Sequence, residues 1–169
     1  MTRIVLVRHA KAEAPRPGLD DHERALTLEG RTSATELGVT LTDAGVDVAV
    51  ALVSDAVRTL QTWKLMAEQF PGADVRVQPA LYETHVGGVH AALQEVGGDG
   101  TVAVVGHEPT ISATAAWLAG PGSDTRSLQR IAQGLPTGTA ALLDFDGPLS
   151  DLAPHSSVLT AICSSRAHF

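Results

Sequence analysis

The chain has 169 residues, 44% of them hydrophobic and 18% charged, a composition that suits one ordinary domain with its own core. Its formal charge of −7 excludes non-specific nucleic-acid binding driven by overall charge, so any phosphate site must be a local cationic pocket. Cys163 is the only cysteine, which excludes an intramolecular disulfide, and no apolar stretch approaches the ~20 residues of a membrane-spanning helix. We therefore expect a single domain over residues 1–169, without membrane or nucleic-acid partners, in a reducing cytoplasm.

The first half of the chain alternates between short apolar runs and helical spacing. Ile4–Val7 is continuous and apolar, as in a buried parallel strand, and is too short for the core of an export signal. The next segment predicts a helix with Thr27 as N-cap and Gly45 at its end. Val48–Val53 is again a strand, and the helix that follows it is expected to end at Pro71.

The alternation continues beyond residue 74. A weaker strand, Val75–Val77, precedes a helix over Val86–Val96 and a buried strand over Val102–Val105. Pro109 near a first turn indicates another helix. Residues 120–138 are rich in Gly, Pro, Ser and charge, and they predict a surface excursion with one short helical turn around Leu128–Ala132.

The last third of the chain predicts two more strands. Ala140–Phe145 and Ser157–Ile162 are joined through a turn at Asp146-Gly147-Pro148, and residues 164–169 are expected to fray. Repeated strand–helix alternation favours an α/β fold with a mostly parallel sheet.

Polar residues follow three of the predicted strands directly. Arg8 and His9 end the first strand, Ser54 and Arg58 follow the second, and His107 follows Val102–Val105. Because the carboxyl ends of parallel strands form the ligand crevice of such sheets, we expect these side chains to converge. Each signal alone fits an ordinary turn or a solvated helix face. Together, two guanidinium forks and two imidazoles are what the oxygens of a phosphoryl group require.

Several short motifs carry a resemblance that spans nearly the whole chain. They are Val7-Arg8-His9-Ala10, Ser54 with Arg58 and Gln61-Thr62, and Gly106-His107. This set resembles the histidine phosphatase superfamily, which is phosphoglycerate mutase-like. Further segments, Arg24-Ala25-Leu26-Thr27 with Gly30-Arg31 and Leu135-Pro136-Thr137-Gly138 through Phe145-Asp146-Gly147, are similar to the short bacterial phosphohistidine phosphatases of the SixA type.

The resemblance implies a fold and a mechanism. The fold is a three-layer α/β/α sandwich with a mostly parallel central sheet, and His9 attacks phosphorus while Arg8, Arg58 and His107 bind the phosphate oxygens. A neutral imidazole is nucleophilic near pH 7, so the chemistry is reasonable in itself. The sequence has no zinc, calcium or P-loop motif and no dinucleotide fingerprint, which favours a metal-independent enzyme without a cofactor.

A leaving alkoxide needs a proton donor, and Glu83 matches the place where many superfamily members keep their acid. Glu83 is equally compatible with an ordinary solvent-facing residue, and Glu13 and Glu108 are the competing acids. The other histidines, His22, His85, His90, His155 and His168, show no ligand spacing, and we assign them no role.

Three functions remain open at this point. The preferred one is removal of phosphate from a phosphohistidine of another protein, and the second is hydrolysis of a small phosphate ester. A non-catalytic phosphate- or phosphoprotein-binding module is the third, although such a module has no need of a nucleophile such as His9. Ala10 stands where mutase-like members usually carry Gly, which argues against a mutase. The oligomeric state has no signal in the sequence.

Overall fold

A six-stranded sheet runs through the middle of the protein, in the order β3-β2-β4-β1-β5-β6. The structure is a computed structural model that describes residues 1–165. Its strands and α-helices are, in chain order, β1 Thr2–Arg8, α1 Leu28–Asp43, β2 Val50–Val53, α2 Val57–Met66, β3 Asp74–Val77, α3 Val86–Val96, β4 Thr101–Gly106, α4 Thr110–Leu118, α5 Thr125–Ala132, β5 Thr139–Phe145 and β6 Ser157–Ser164.

The sheet is mostly parallel. Strands β3, β2, β4 and β1 pair in parallel, whereas β5 is antiparallel to β1 and β6 is antiparallel to β5. The predicted α/β class is therefore confirmed. β1 lies between β4 and β5, and all four residues of the Ile4–Val7 run are fully buried, which explains why the run is apolar on both faces.

Helices cover both faces of this sheet. On β1, Ile4 and Leu6 point into one core, together with residues of α3, α4 and α5. Val5 and Val7 point into the other core, which α1 and α2 cover. This alternation is the ordinary period of a strand, so one apolar run supplies both interfaces. The expected three-layer α/β/α arrangement is confirmed.

Local capping agrees with the predicted helix α1, and the second helix ends earlier than expected. The Thr27 side chain accepts a hydrogen bond from the Gly30 N–H, which makes Thr27 the N-cap. The second helix ends at Met66, and a short 3-10 helix, Ala67–Gln69, replaces its predicted last turn before Pro71.

Two segments are more ordered than the sequence indicated. Within residues 120–138, where one turn was expected, α5 is a full eight-residue helix. Asp124 caps it by accepting from the backbone N–H and the hydroxyl of Ser127. β6 continues to Ser164, and Ser165 is buried. The rest of the predicted frayed end, with His168, lies outside the described residues.

None of the helices within residues 1–165 combines the length and the hydropathy needed to cross a membrane.

Candidate active site

The carboxyl ends of three adjacent strands bring the predicted site residues together. Because β2, β4 and β1 are neighbours in the sheet, the residues that follow them lie side by side. The backbone N–H of His9 donates to the Gly106 carbonyl at 3.1 Å, which extends the β1–β4 ladder to the histidine itself. The His9 and His107 ring centroids are 5.4 Å apart. The expected pair of imidazoles therefore shares one site.

The orientation of the His9 ring determines which nitrogen is free. Its Nδ1 lies 2.7 Å from the Ala10 carbonyl oxygen, and a carbonyl can only accept, so Nδ1 carries the proton. In the neutral ring, Nε2 then keeps its lone pair. His9 is only 8% exposed, and this burial, reinforced by the charges of Arg58 and Arg8, lowers its pKa to about 4. The ring is thus neutral at pH 7, with Nε2 available as a nucleophile.

The chain on either side of His9 is held by further hydrogen bonds. The Ala10 N–H donates to Thr62 Oγ1 at 2.9 Å, and the same hydroxyl donates to the Arg58 carbonyl at 2.7 Å. The Gly138 N–H donates to the His9 carbonyl at 2.9 Å. Gly30 lets α1 approach this segment, because a Cβ at that position would lie 2.1 Å from the Lys11 carbonyl oxygen. The nucleophile is therefore positioned by backbone contacts from several elements.

His107 has one ring nitrogen bound and one free. Its Nε2 lies 2.8 Å from Ser54 Oγ, which in turn accepts from the Ala56 N–H at 3.4 Å. If the Ser54 hydroxyl donates to Nε2, the ring carries its proton on Nδ1, which is buried and has no partner among the described residues. Burial and the charge of Arg58 lower the pKa of His107 to about 3. A neutral His107 can thus offer an N–H to an anion.

The two arginines of the predicted site also keep donors unused. Arg8 Nη1 donates to the Leu135 carbonyl at 2.7 Å, and both Nη groups of Arg58 donate to Asp21. The Nε of each arginine is buried and has no hydrogen-bond partner among residues 1–165. Of five buried side-chain polar atoms left unpaired within residues 1–165, three are Arg8 Nε, Arg58 Nε and His107 Nδ1. Since an unpaired buried donor costs about 1–3 kcal/mol, this grouping indicates a place built for an anionic ligand.

The three predicted acids lie in different surroundings. Glu83 is exposed and makes no hydrogen bond or ion pair within the described part of the chain, and its role as proton donor stays a prediction. Its neighbour Tyr82 places its ring 5.5 Å from that of His107, so Glu83 follows a residue at the edge of the site.

The two competing acids, Glu13 and Glu108, accept hydrogen bonds from other residues of the protein. Glu13 accepts from the Ala25 N–H and from Arg16. Glu108 accepts from the backbone N–H and the hydroxyl of Ser112, and from the Leu135 N–H at 3.2 Å. Both carboxylates are therefore occupied by local donors.

Sequence reasoning missed three residues that border the site. Asp21 binds Arg58, Tyr82 packs against His107, and His22, to which no role was assigned, contacts Asp55 through Nε2 at 2.8 Å and the Tyr82 ring edge-on. Asp21 and His22 belong to a 3-10 helix, Asp21–Glu23, in the loop between β1 and α1. No local pattern shows that this loop folds over the start of α2.

Comparison with known proteins agrees with this geometry. Residues 4–96, more than half of the chain, match the model of the histidine phosphatase superfamily (branch 1). The uncharacterised protein Rv1276c of Mycobacterium tuberculosis is 36% identical over 155 residues, which cover 90% of this chain and 96% of that protein.

Solved structures give the same result. The candidate phosphohistidine phosphatase SixA of Nakamurella multipartitia is 33% identical, with a TM-score of 0.81 over 95% of this chain and 94% of that one. At 24% identity, phosphoglycerate mutase of Plasmodium falciparum shares the fold, with a TM-score of 0.59 over 95% of this chain and 89% of that one. The expected phosphoglycerate mutase-like fold is confirmed, and the chain belongs to the histidine phosphatase superfamily as a member of the SixA type.

Proposed function

We propose that the protein hydrolyses phosphohistidine on another protein, through a phosphohistidine intermediate on its own His9 and without a metal ion. The observation that carries the proposal is the neutral His9 ring, with Nε2 free, beside the Nε groups of Arg8 and Arg58 and the Nδ1 of His107, which are buried and have no hydrogen-bond partner among residues 1–165. Membership of the superfamily supports phosphatase chemistry, and the similarity to a SixA protein supports the phosphohistidine substrate.

In the first step, His9 Nε2 attacks phosphorus and forms a P–N bond while the P–N bond to the substrate imidazole breaks. A substrate imidazole that already carries a proton on its other nitrogen departs as a neutral ring, so it needs no proton in the transition state, unlike an alkoxide. The non-bridging oxygens accept hydrogen bonds from Arg8, Arg58 and His107, which stabilise the charge of the transition state.

In the second step, a water molecule attacks the phosphoryl group on His9. The P–N bond to His9 breaks and leaves the ring neutral, one proton of the water stays on the released inorganic phosphate, and the other passes to bulk solvent. Splitting one displacement into two lets the same donors stabilise both transition states. Two guanidinium groups supply the positive charge that a metal ion provides in many phosphotransferases. Within residues 1–165, no three His, Cys, Asp or Glu side chains are grouped so that they could hold a metal ion.

The position of the site supports a protein substrate. Within the described residues, β2 and β4 are joined to the helices that follow them by three-residue connections, and the β1–α1 loop is the long one at this edge of the sheet. Short connections leave room for a side chain presented on a partner's surface, which suits such a site better than an enclosed metabolite does. A single cytoplasmic domain stays part of this proposal, because the lone Cys163 needs no oxidising compartment.

The test compares turnover on a phosphohistidine protein, free phosphohistidine and a panel of phosphate monoesters under one set of conditions. We expect the highest kcat/KM on the phosphohistidine protein, and an acid-labile, base-stable phosphoenzyme that is absent in His9→Ala. His85→Ala is the matched control, since His85 is exposed and lies outside the site. High kcat/KM on one monoester with none on phosphohistidine would favour the small-ester phosphatase. Label that persists in His9→Ala would refute the assigned nucleophile.

A further inference from the structure

A carboxylate lies directly against one of the two site arginines. Arg58 Nη1 donates to the Asp21 backbone carbonyl at 2.7 Å, and Nη2 donates to Asp21 Oδ2 at 3.1 Å. Asp21 Oδ1 accepts from Arg24 Nε at 2.9 Å, and the Tyr82 hydroxyl donates to Oδ2. One residue of the β1–α1 loop therefore binds Arg58 at two points and is itself held by two other side chains.

These contacts use one end of the Arg58 guanidinium and leave another part free. A guanidinium presents five N–H donors in a rigid plane, so fixing the two Nη groups also fixes the direction of the Nε–H bond. That Nε–H is buried and has no acceptor among the residues that the structure describes. The Tyr82 ring adds a further constraint, because its centroid lies 5.8 Å from Arg58 Cζ. The orientation of Arg58 is thus determined from outside the site.

Exposure shows on which side of Arg58 the carboxylate lies. The Arg58 side chain is 7% exposed, whereas that of Asp21 is 50% exposed. Asp21 therefore approaches from the solvent side. The hydrogen bond from Tyr82, together with those from Arg24 and Arg58, holds the pKa of Asp21 well below its usual range. Asp21 is consequently an anion at neutral pH.

We propose that Asp21, held by Tyr82, is a positioning residue that binds the outer Nη groups of Arg58 and directs its Nε–H toward the phosphoryl group. The inference rests on the proposed function, because it assumes that Arg58 binds phosphate oxygens. It adds two residues, Asp21 and Tyr82, which act through Arg58. Its physical basis is preorganisation: a guanidinium that is already oriented pays less conformational entropy when the charge of the transition state develops.

The experiment uses Asp21→Asn and Tyr82→Phe, with Glu23→Gln as matched control. The amide of Asn replaces one accepting oxygen with a donor, and Phe removes only the hydroxyl and keeps the ring against His107. Glu23 lies on the same 3-10 helix and carries the same charge, and its side chain makes no hydrogen bond within the described residues. The readouts are kcat and KM on para-nitrophenyl phosphate, and the inhibition constant of vanadate, which mimics five-coordinate phosphorus.

Misplacement of a catalytic group by about 1 Å costs up to ~10²-fold in rate, so we expect Asp21→Asn to lower kcat by about 10–10²-fold. Vanadate should bind more weakly by a similar factor, and Tyr82→Phe should show a smaller loss of the same kind. Glu23→Gln should stay within about 2-fold of wild type, which sets the background for loss of an exposed charge. Thermal unfolding of each variant shows whether a loss reflects folding.

A double-mutant cycle decides whether Asp21 acts through Arg58. Lysine lacks the planar set of guanidinium N–H donors that Asp21 binds. In an Arg58→Lys background, Asp21→Asn should therefore lower kcat by less than about 2-fold. Equal losses in both backgrounds would overturn the inference, as would tighter vanadate binding in Asp21→Asn, which would make Asp21 a competitor of phosphate. If Arg58→Lys alone leaves kcat and vanadate binding unchanged, the role of Arg58 in the proposed function fails, and the inference fails with it. If only Arg58→Lys has an effect, the proposed function stands without the role of Asp21.

Discussion

The rim around His9, formed by the residues that follow β1, β2 and β4, and the groove beside it differ in how their polar atoms are satisfied. The groove between α4 and α5 has a volume of about 450 Å³ and is lined largely by apolar atoms of residues such as Pro109, Ala116 and Ile131. Its carboxylate, Glu108, accepts from Ser112 and from the Leu135 N–H. The rim around His9, by contrast, keeps three buried nitrogen atoms that have no hydrogen-bond partner within the described part of the chain.

This difference indicates that unpaired buried polar atoms, more than cavity volume, mark the place where we expect an anion to bind. A buried N–H without an acceptor is costly, so a fold keeps such groups together where a ligand satisfies them. The two regions are joined at Leu135, whose N–H faces Glu108 and whose carbonyl accepts from Arg8. We therefore interpret the groove side as the support of the rim.

The largest expected difference in kcat is between His9→Ala, in the rim, and Ala116→Leu, in the groove. Removing the nucleophile should lower kcat by about 10⁴-fold or more, because the covalent route is lost. Ala116 is exposed in the groove, and a leucine there should leave kcat within about 2-fold of wild type. Both values come from steady-state kinetics on para-nitrophenyl phosphate. An equal loss in both variants would show that the groove belongs to the active site.

The second largest effect is expected for Arg58→Ala. This substitution should lower kcat by about 10²–10³-fold, because it removes a donor to the transition-state oxygens. Arg126 on α5 is exposed and gives the matched control, with no expected change in kcat for Arg126→Ala. An effect of Arg58→Ala on KM alone would mean that Arg58 binds substrate and transition state equally.

Glu108→Gln tests whether the groove side supports the rim around His9. One accepting oxygen becomes a donor that faces the Leu135 N–H, so the free energy of unfolding should fall by about 1–3 kcal/mol, as measured by urea denaturation. Hydrolysis of phosphate monoesters should change by less than about 5-fold, because the carboxylate is occupied by Ser112 and Leu135. A loss of 10²–10⁴-fold with unchanged stability would instead identify Glu108 as the general acid.

The smallest expected effect is a change in the protonation of the His9 ring between pH 5 and 8. The folded pKa of His9, about 4, lies below the ordinary value of 6.5, so the ring stays neutral in this range and its NMR signals should not titrate. Between about pH 4 and 6.5 the unfolded chain binds more protons than the folded one, so His9 makes stability fall as pH falls through this window. The signal of the His9 ring is assigned by its absence from the spectrum of His9→Ala. A midpoint near 6.5 would contradict a desolvated ring.

Local patterns account for most of what the sequence predicted. Apolar runs fixed the positions of the strands, the Thr27 cap located the start of α1, and the polar residues after β1, β2 and β4 identified the site. These features depend on neighbours within a few positions, because strand burial, helix periodicity and capping are short-range effects. The resemblance to the superfamily rested on the same short motifs.

The tertiary structure decided which groups meet across long separations. Asp21 reaches Arg58 across 37 positions, and Tyr82 reaches Asp21 across 61. The full length of α5 was missed because its many polar residues resemble a loop, although its buried Ser127 and Ile131 give it a packed face. The sequence by itself determined the strand ends and the types of their side chains. Hydrogen-bond partners, the protonated ring nitrogens and the unpaired donors follow only from packing, because burial and partner geometry arise when distant segments come together.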